Sequence, residues 1–330
     1  MNERKARVIS QEKGIYRIQS GADVKTASVS GKYRYEAVMV ADYPAVGDYV
    51  IAEWQEGDGN AIITRLVPRK SCFIRKAAGK GSREQVVAAN IDTVLICMSL
   101  NQNFNIRRLE RYLSVTYDSG AAPVVVLTKA DLCPDTESKI AEVQNAAIGV
   151  DVIAVSSFDG DFAAVMPYIL PGRTIAFLGS SGVGKSTLIN RLTGKDDIAT
   201  GETGDNDKGR HTTTHRELIT LQNGAFVIDT PGMRELGMWD SGSGIDTAFA
   251  DIEELSRSCK YADCTHTAEP SCAVLRALEE GMLDAARLAS YRKLKTENNY
   301  VADNSRYLEA KRAKFKEIAK INKSGKKNRF

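Results

Sequence analysis

No apolar run in this chain of 330 residues reaches the roughly 20 needed to cross a bilayer, so no spanning helix is expected. The opening Met1-Asn2-Glu3-Arg4-Lys5 leads into polar sequence rather than an apolar signal core, and the expectation is a cytoplasmic protein that uses no membrane. Cysteine is scarce and uneven. Cys72, Cys97 and Cys133 stand alone, with Cys97 in the apolar run Val94-Leu95-Ile96 as a small buried hydrophobe would be, and only Cys259, Cys264 and Cys272 cluster. Acid is almost missing from the end of the chain: Lys311 to Phe330 holds nine Lys and Arg against Glu317 alone. That tail carries +8 and the remainder about −5, which gives the net +3. A basic end on an acidic body suits a polyanionic partner, although charge alone describes a solvated helix end as well. At 36.0 kDa and 43% apolar residues, the chain can bury an ordinary core in two or three domains.

Residues before about 70 carry short runs of β character: Ile15 to Ile18, Tyr35 to Val40, Tyr49 to Ala52 and Ala61 to Ile63, separated by Gly, Asp and Pro. This spacing predicts a small barrel, and a five-stranded oligonucleotide-binding (OB) barrel fits the length, either as an RNA-binding or as a docking module. Arg69 to Arg83, rich in Lys, Arg, Gly and Ser, reads as a linker or basic loop. Beyond it, apolar runs at Thr93 to Met98, Pro123 to Leu127, Val152 to Val155, Thr174 to Leu178 and Ala225 to Ile228 alternate with helical patterns. Continuous apolar runs of this length suit a parallel sheet covered on both faces. After Gly237 only helical patterns remain, such as Ala273 to Glu280 and Asp284 to Glu297. The expected division is a barrel over 1–72, an α/β domain over 73–237 and a helical domain with the basic tail over 238–330.

The run Thr174 to Leu178 leads into Gly179-Ser180-Ser181-Gly182-Val183-Gly184-Lys185-Ser186-Thr187, and then into the helical Leu188 to Leu192. This is a P-loop in its required strand-to-helix context. The glycines let backbone N–H groups wrap phosphates at a helix N-terminus, Lys185 reaches the β and γ phosphates, and Ser186 can ligate magnesium. Downstream, Phe226-Val227-Ile228 leads into Asp229-Thr230-Pro231-Gly232, where a strand-end carboxylate can hold magnesium and a glycine can turn toward the γ phosphate. Between them lies a polar, Gly-rich stretch ending in His211-Thr212-Thr213-Thr214. One threonine there, Thr213 with Thr212 as the alternative, is expected to complete the magnesium shell.

A carboxylate that accepts from N1–H and the exocyclic amine together separates guanine from adenine. Asp131 of Thr128-Lys129-Ala130-Asp131, after Val124 to Leu127, offers one. Thr128 replaces the usual Asn of such motifs, which predicts weaker hydrogen bonding inside the loop. Ser156-Ser157, after Val152 to Val155, supplies the loop that meets the guanine oxygen. Base recognition therefore precedes the P-loop, which precedes the threonine stretch and Asp-Thr-Pro-Gly, a cyclic rotation of the usual order that nearby domain termini make feasible. The switch then runs straight into the C-terminal domain, so nucleotide state could move that domain.

Cys259, Cys264, His266 and Cys272 offer three soft ligands and an imidazole within a short span, the set of a closed tetrahedral zinc site with a structural role. The residue after Asp-Thr-Pro-Gly is Met233, where many GTPases place a glutamine that orients the attacking water. His211 is the nearest candidate to place or activate that water, local packing or a partner contact being the alternative.

With permuted motifs, an N-terminal barrel and a Cys3His cluster after the switch, the chain resembles the ribosome small-subunit-dependent GTPase A (RsgA-type) family over nearly its whole length. The resemblance includes Gln85 to Asp92, which looks like that family's approach to its GTPase domain, and Gly209-Arg210-His211-Thr212-Thr213. It implies a circularly permuted α/β P-loop GTPase domain flanked by an N-terminal OB-fold β-barrel and a C-terminal α-helical zinc-binding domain. It further implies a bacterial enzyme that hydrolyses GTP to GDP, acts late in 30S ribosomal subunit maturation, is stimulated by that subunit, contacts 16S rRNA through the barrel and zinc domain and uses His211 in hydrolysis; a monomer is expected. Two other readings stay open: a nucleotide-gated RNA-binding module with slow hydrolysis, which the missing glutamine favours, and a P-loop kinase or ATPase, against which Asp131 and the Ser156-Ser157 loop speak.

Overall fold

The computed structural model describes residues 2–12, 14–54, 57, 59–76, 84–156, 163–194, 217–229 and 243–300. Strands β1 (Asn2–Glu12), β2 (Ile15–Ser20), β3 (Asp23–Val29), β4 (Tyr49–Trp54) and β5 (Ala61–Leu66) close into a barrel in the order β1-β2-β3-β5-β4, with β4 returning to β1. Alternation drives the closure. Val50, Ala52 and Trp54 of β4 point inward onto Val8, Tyr16 and Ile18, while the intervening residues face outward.

Two parts of the barrel depart from the sequence reading. Strands β1 and β3 carry charge on their outer faces, at Arg4, Lys5, Asp23 and Lys25, so neither stood out as an apolar run. Tyr35 to Val40, expected as a strand, is instead the end of α1 (Gly31–Glu36) followed by a turn. The Ser30 hydroxyl caps that helix by accepting from the Tyr33 N–H at 3.0 Å, and Tyr35 and Val38 are exposed. Part of the expected linker is also ordered, because β6 (Cys72–Lys76) pairs antiparallel with β7 (Glu84–Ala89) and buries Phe73.

A second set of strands forms the α/β unit: β8 (Thr93–Ser99), β9 (Ala122–Thr128), β10 (Val152–Val155), β11 (Thr174–Leu178), β12 (Glu217–Thr220) and β13 (Phe226–Asp229). Their order is β10-β9-β8-β11-β13-β12, the first five parallel and β12 antiparallel to β13. Successive residues serve opposite faces. Leu95, Val126, Ile175 and Phe177 pack with Leu188 and Ile189 of α4 (Lys185–Thr193), whereas Ile96, Leu127, Ala176 and Leu178 pack with α2 (Ile106–Ser119) and α3 (Thr136–Ala146). Each of the Val, Leu, Ile and Phe side chains contributes about 1.5–3 kcal/mol when fully buried, so the continuous apolar runs are what fix a sheet covered on both sides.

Beyond the sheet come α5 (Ser243–Ala248), α6 (Ala250–Ser256), α7 (Ala273–Glu279) and a last helix over 285–300. Arg287 fastens them to the α/β unit. Its buried guanidinium donates to Asp251 at 2.7 Å, to Glu110 of α2 at 3.1 Å and to the carbonyls of Ala146 and Ala248, and it lies over the Phe249 ring. At the other end, β1 pairs with β12 through Ser10 and Glu217, and buried Arg7 of β1 donates to the Thr174 hydroxyl at 2.5 Å. Arg69 forms a bidentate pair with the fully buried Asp48. No helix among the described residues is long and apolar enough to cross a membrane.

Candidate functional site

Parallel pairing brings the ends of five strands to one edge. Thr128 of β9 is opposite Ser99 of β8 and Val155 of β10, Leu178 of β11 is opposite Ile96, and Ala176 is opposite Ile228 of β13. The loop 179–184 after β11, the Thr128 to Asp131 turn, Ser156 and the backbone of Asp229 therefore share the carboxyl edge of the sheet, where open α/β folds bind ligands.

Loop 179–184 leaves β11 through Gly179 at φ +145°, where a Cβ would stand 2.4 Å from the Cys97 carbonyl oxygen; no side chain is tolerated there. Gly182 and Gly184 also have positive φ, and the turn delivers Lys185, Ser186 and Thr187 to the first turn of α4. Lys185 is buried, its ammonium donating to the carbonyls of Gly179 at 2.6 Å and Ser180 at 2.5 Å. Beside the loop, burial pushes the Cys97 thiol up to about 12, so it remains protonated and inert.

The Thr128 to Asp131 turn is tied directly to this loop. The buried Thr128 hydroxyl donates to the Val183 carbonyl at 2.7 Å. Lys129 takes the left-handed conformation and Ala130–Leu132 forms a 3-10 turn that leaves Asp131 exposed at the edge. Ser156 Oγ donates to Asp131 Oδ1 at 2.9 Å, so the carboxylate and the loop after β10 meet. Two residues that the sequence did not single out also reach the loop: Asn103 and Arg108 both donate to Ser180 Oγ at 2.9 Å. Asn103 lies between β8 and α2 and Arg108 in the first turn of α2; neither belongs to a motif, and only spatial adjacency finds them. Ser157, His211, Thr212, Thr213, Gly232, Met233, the side chain of Asp229 and the basic tail lie outside the described residues.

Between the end of α6 and the start of α7, the ligand atoms of Cys259, Cys264, His266 and Cys272 all lie within 4.8 Å of one another. Cys259 Sγ is 3.8 Å from Cys272 Sγ and 3.6 Å from His266 Nδ1, and Cys272 Sγ is 3.4 Å from the same nitrogen. A tetrahedron with bonds of about 2.3 Å to sulfur and about 2.0–2.1 Å to nitrogen has S–S and S–N edges of about 3.8 and about 3.5 Å, so the cluster fits a four-coordinate metal ion. Burial lowers the His266 pKa and keeps its imidazole neutral, as a ligand must be. Hydrogen bonds from the Thr265 hydroxyl and the N–H groups of Thr265 and Thr267 hold the Glu269 carboxyl well below the usual carboxylate range and fix the knuckle around His266. Ser186, in the first turn of α4, carries a hydroxyl, a hard oxygen donor of the kind magnesium takes.

The family model of the RsgA GTPase matches residues 66–239. A small ribosomal subunit biogenesis GTPase RsgA 2 of Lactiplantibacillus plantarum is 49% identical over 305 residues, covering 92% of this chain and 86% of its own. An RsgA 1 of the same description from Oceanobacillus iheyensis is 41% identical over 329 residues, covering 98% and 93%. Among solved structures, YjeQ from Thermotoga maritima has the same fold, with TM-score 0.70 at 23% identity over 90% of this chain and 99% of that one. YloQ, described as a circularly permuted GTPase, aligns with TM-score 0.67 at 28% identity over 90% and 96%.

Proposed function

This chain belongs to the RsgA GTPase family, a GTP hydrolase of small-ribosomal-subunit biogenesis, and on that premise we propose that it binds the 30S subunit, acts in its late maturation and hydrolyses GTP under that subunit's stimulation. The observation that carries the nucleotide site is the Thr128 to Val183 bond, which joins the proposed base-reading turn to the proposed phosphate loop. In this reading, Gly179 to Thr187 cradle the phosphates, Lys185 neutralises charge on the β and γ phosphates, and Asp131 with Lys129 and Ala130 reads guanine beside Ser156 and Ser157. Ser186, Asp229 and Thr213 hold magnesium, which when bound screens the phosphate charge, and Gly232 turns the switch toward the γ phosphate. His211 places the attacking water, because Met233 has no group that can. Zinc is the ion assigned to Cys259, Cys264, His266 and Cys272, in a structural role, since four protein ligands leave no open position.

The barrel over 1–72 and the zinc-binding domain over 238–330, with its basic tail, supply the contacts to 16S rRNA, around a GTPase domain over 73–237. The protein works in the cytoplasm as a monomer. A second reading, a nucleotide-gated RNA-binding module whose slow hydrolysis only resets it, is favoured by Met233 in place of glutamine.

Phosphate release from GTP and from ATP, with and without purified 30S subunits and at two salt concentrations, separates these readings. Large GTP-only stimulation that weakens with salt supports a subunit-activated enzyme docking partly through phosphate contacts. Tight, nucleotide-dependent subunit binding without stimulation supports the module. Lys185→Ala should abolish hydrolysis, and normal turnover in that variant removes 179–187 from the mechanism.

A further inference from the structure

Helix α2 begins against its own dipole. Arg107 and Arg108 occupy the first turn, where positive charge is disfavoured, and no acid sits there to offset them. Both guanidinium groups are satisfied elsewhere. Arg107 donates to Glu110 one turn on and to Asp284 of the C-terminal region. Arg108 turns toward the phosphate loop, where its Nη1 donates to Ser180 Oγ at 2.9 Å and to Asn103 Oδ1 at 2.6 Å. Asn103 Nδ2 donates to the same Ser180 oxygen at 2.9 Å and reaches the Ser181 carbonyl at 3.5 Å.

The turn that carries these groups is itself fixed. Asn101 Oδ1 accepts from the Asn103 N–H at 3.0 Å and from the Ser99 hydroxyl at 2.8 Å, and Asn105 caps α2 by accepting from the Arg108 N–H at 2.9 Å. Farther along, α2 is held by Arg287 on Glu110 and by the Arg111–Glu297 pair, so it offers the loop a rigid anchor.

We propose that Asn103 and Arg108 are positioning residues for the phosphate loop, holding the Ser180 hydroxyl and with it the path of residues 179–184. The proposal rests on reading 179–187 as the nucleotide site. Three glycines give this loop much conformational freedom to lose, and Ser181 and Gly182 are exposed. Its inner side is held by Thr128 on Val183; its outer side is held by Asn103 and Arg108. Without the outer contact the loop spreads over conformers whose N–H groups do not converge, and apparent affinity falls by the fraction of competent loop. GDP and GTP share the phosphates that the loop wraps, so both weaken alike, and the chemical step is spared.

The test uses the full chain and measures dissociation constants for GDP and GTP together with steady-state kcat and KM. Arg108→Ala should weaken both nucleotides about tenfold, the worth of a hydrogen bond or two to a charged donor, with kcat changed less than about twofold, and Ser180→Ala should weaken both nucleotides at least as much. The double variant should bind no more weakly than Ser180→Ala alone, and Arg108→Lys, which keeps a charged donor, should recover part of the loss. A role confined to the stability of α2 would lower the unfolding temperature without this coupling to Ser180. Wild-type affinity in folded Arg108→Ala, or effects of Arg108→Ala and Ser180→Ala that multiply, would overturn the proposal. Should Arg108→Ala not fold, the cycle of Asn103→Ala with Ser180→Ala reads the same coupling. Lys185→Ala keeps the two claims apart: if it also leaves nucleotide binding intact, the site reading fails, and if it alone abolishes binding, only the positioning role does.

Discussion

The hydroxyl of Thr128 donates to the carbonyl of Val183 at 2.7 Å, and both groups are buried. The threonine at this position thus bonds the turn after β9 to loop 179–184. Thr128→Val preserves shape but leaves that carbonyl buried without its donor, which costs about 1–3 kcal/mol. The expected outcome is a five- to hundredfold loss of GTP and GDP affinity, read by titration with a fluorescent guanine nucleotide. Unchanged affinity would mean that the turn is positioned by other contacts.

Asp131 is proposed to read guanine, and Ser156 already orients its carboxylate at 2.9 Å. Asp131→Asn keeps one acceptor for N1–H but turns an amide donor toward the 2-position, where guanine has its amine and xanthine presents a carbonyl. GTP binding should drop by about tenfold or more and xanthosine triphosphate binding should rise, as competition assays would reveal. Retained GTP selectivity would place base recognition elsewhere.

Glu110 and Arg287 give a pH-dependent seam between α2 and the last helix. Burial raises the Glu110 pKa despite the flanking Arg107 and Arg287. A carboxyl whose folded pKa exceeds its unfolded one adds stability below the unfolded pKa and loses it as pH rises through the folded pKa. Glu110→Gln should therefore flatten the decline in stability between mildly acidic and neutral pH, measured by urea unfolding at several pH values. Arg287→Ala, which strands the Glu110 and Asp251 carboxylates, should destabilise by about 3–5 kcal/mol. If Glu110→Gln shows the same pH slope as the parent, the proton is held elsewhere.

What the sequence made legible followed physical pattern. The runs that became β8, β9, β10, β11 and β13 are apolar on both faces, so they needed no partner to be recognised. Strand β1 was hidden by Arg4, Lys5 and Arg7, although Arg7 proves to be buried against Thr174 and Phe226 at the barrel seam. Tyr35 and Val38 misled in the opposite sense, being apolar and exposed beside a helix that Ser30 caps. Around the candidate site, the glycines and Lys185 carry their chemistry in their spacing. Asn103 and Arg108 do not, because their relation to Ser180 spans more than seventy residues and exists only in the folded chain.

Metal removal tests the Cys259, Cys264, His266 and Cys272 cluster, in which the separations among Cys259 Sγ, Cys272 Sγ and His266 Nδ1, 3.4 to 3.8 Å, match the edges of a tetrahedral site. Cys272 also caps α7, accepting from the Leu275 N–H at 3.4 Å, and His266 packs beside Tyr291 of the last helix. Loss of the ion should therefore loosen α7 and the 285–300 helix together, lowering the unfolding midpoint by about 5 °C or more and raising hydrogen exchange there. GTP turnover without ribosomal subunits should stay within about twofold, since a closed four-ligand site takes no part in the chemistry. Cys272→Ser should behave as the metal-free protein does. Fewer than about half an equivalent of zinc in fresh protein would remove the assignment of the metal, and a collapse of basal turnover on chelation in excess magnesium would make its role catalytic rather than structural.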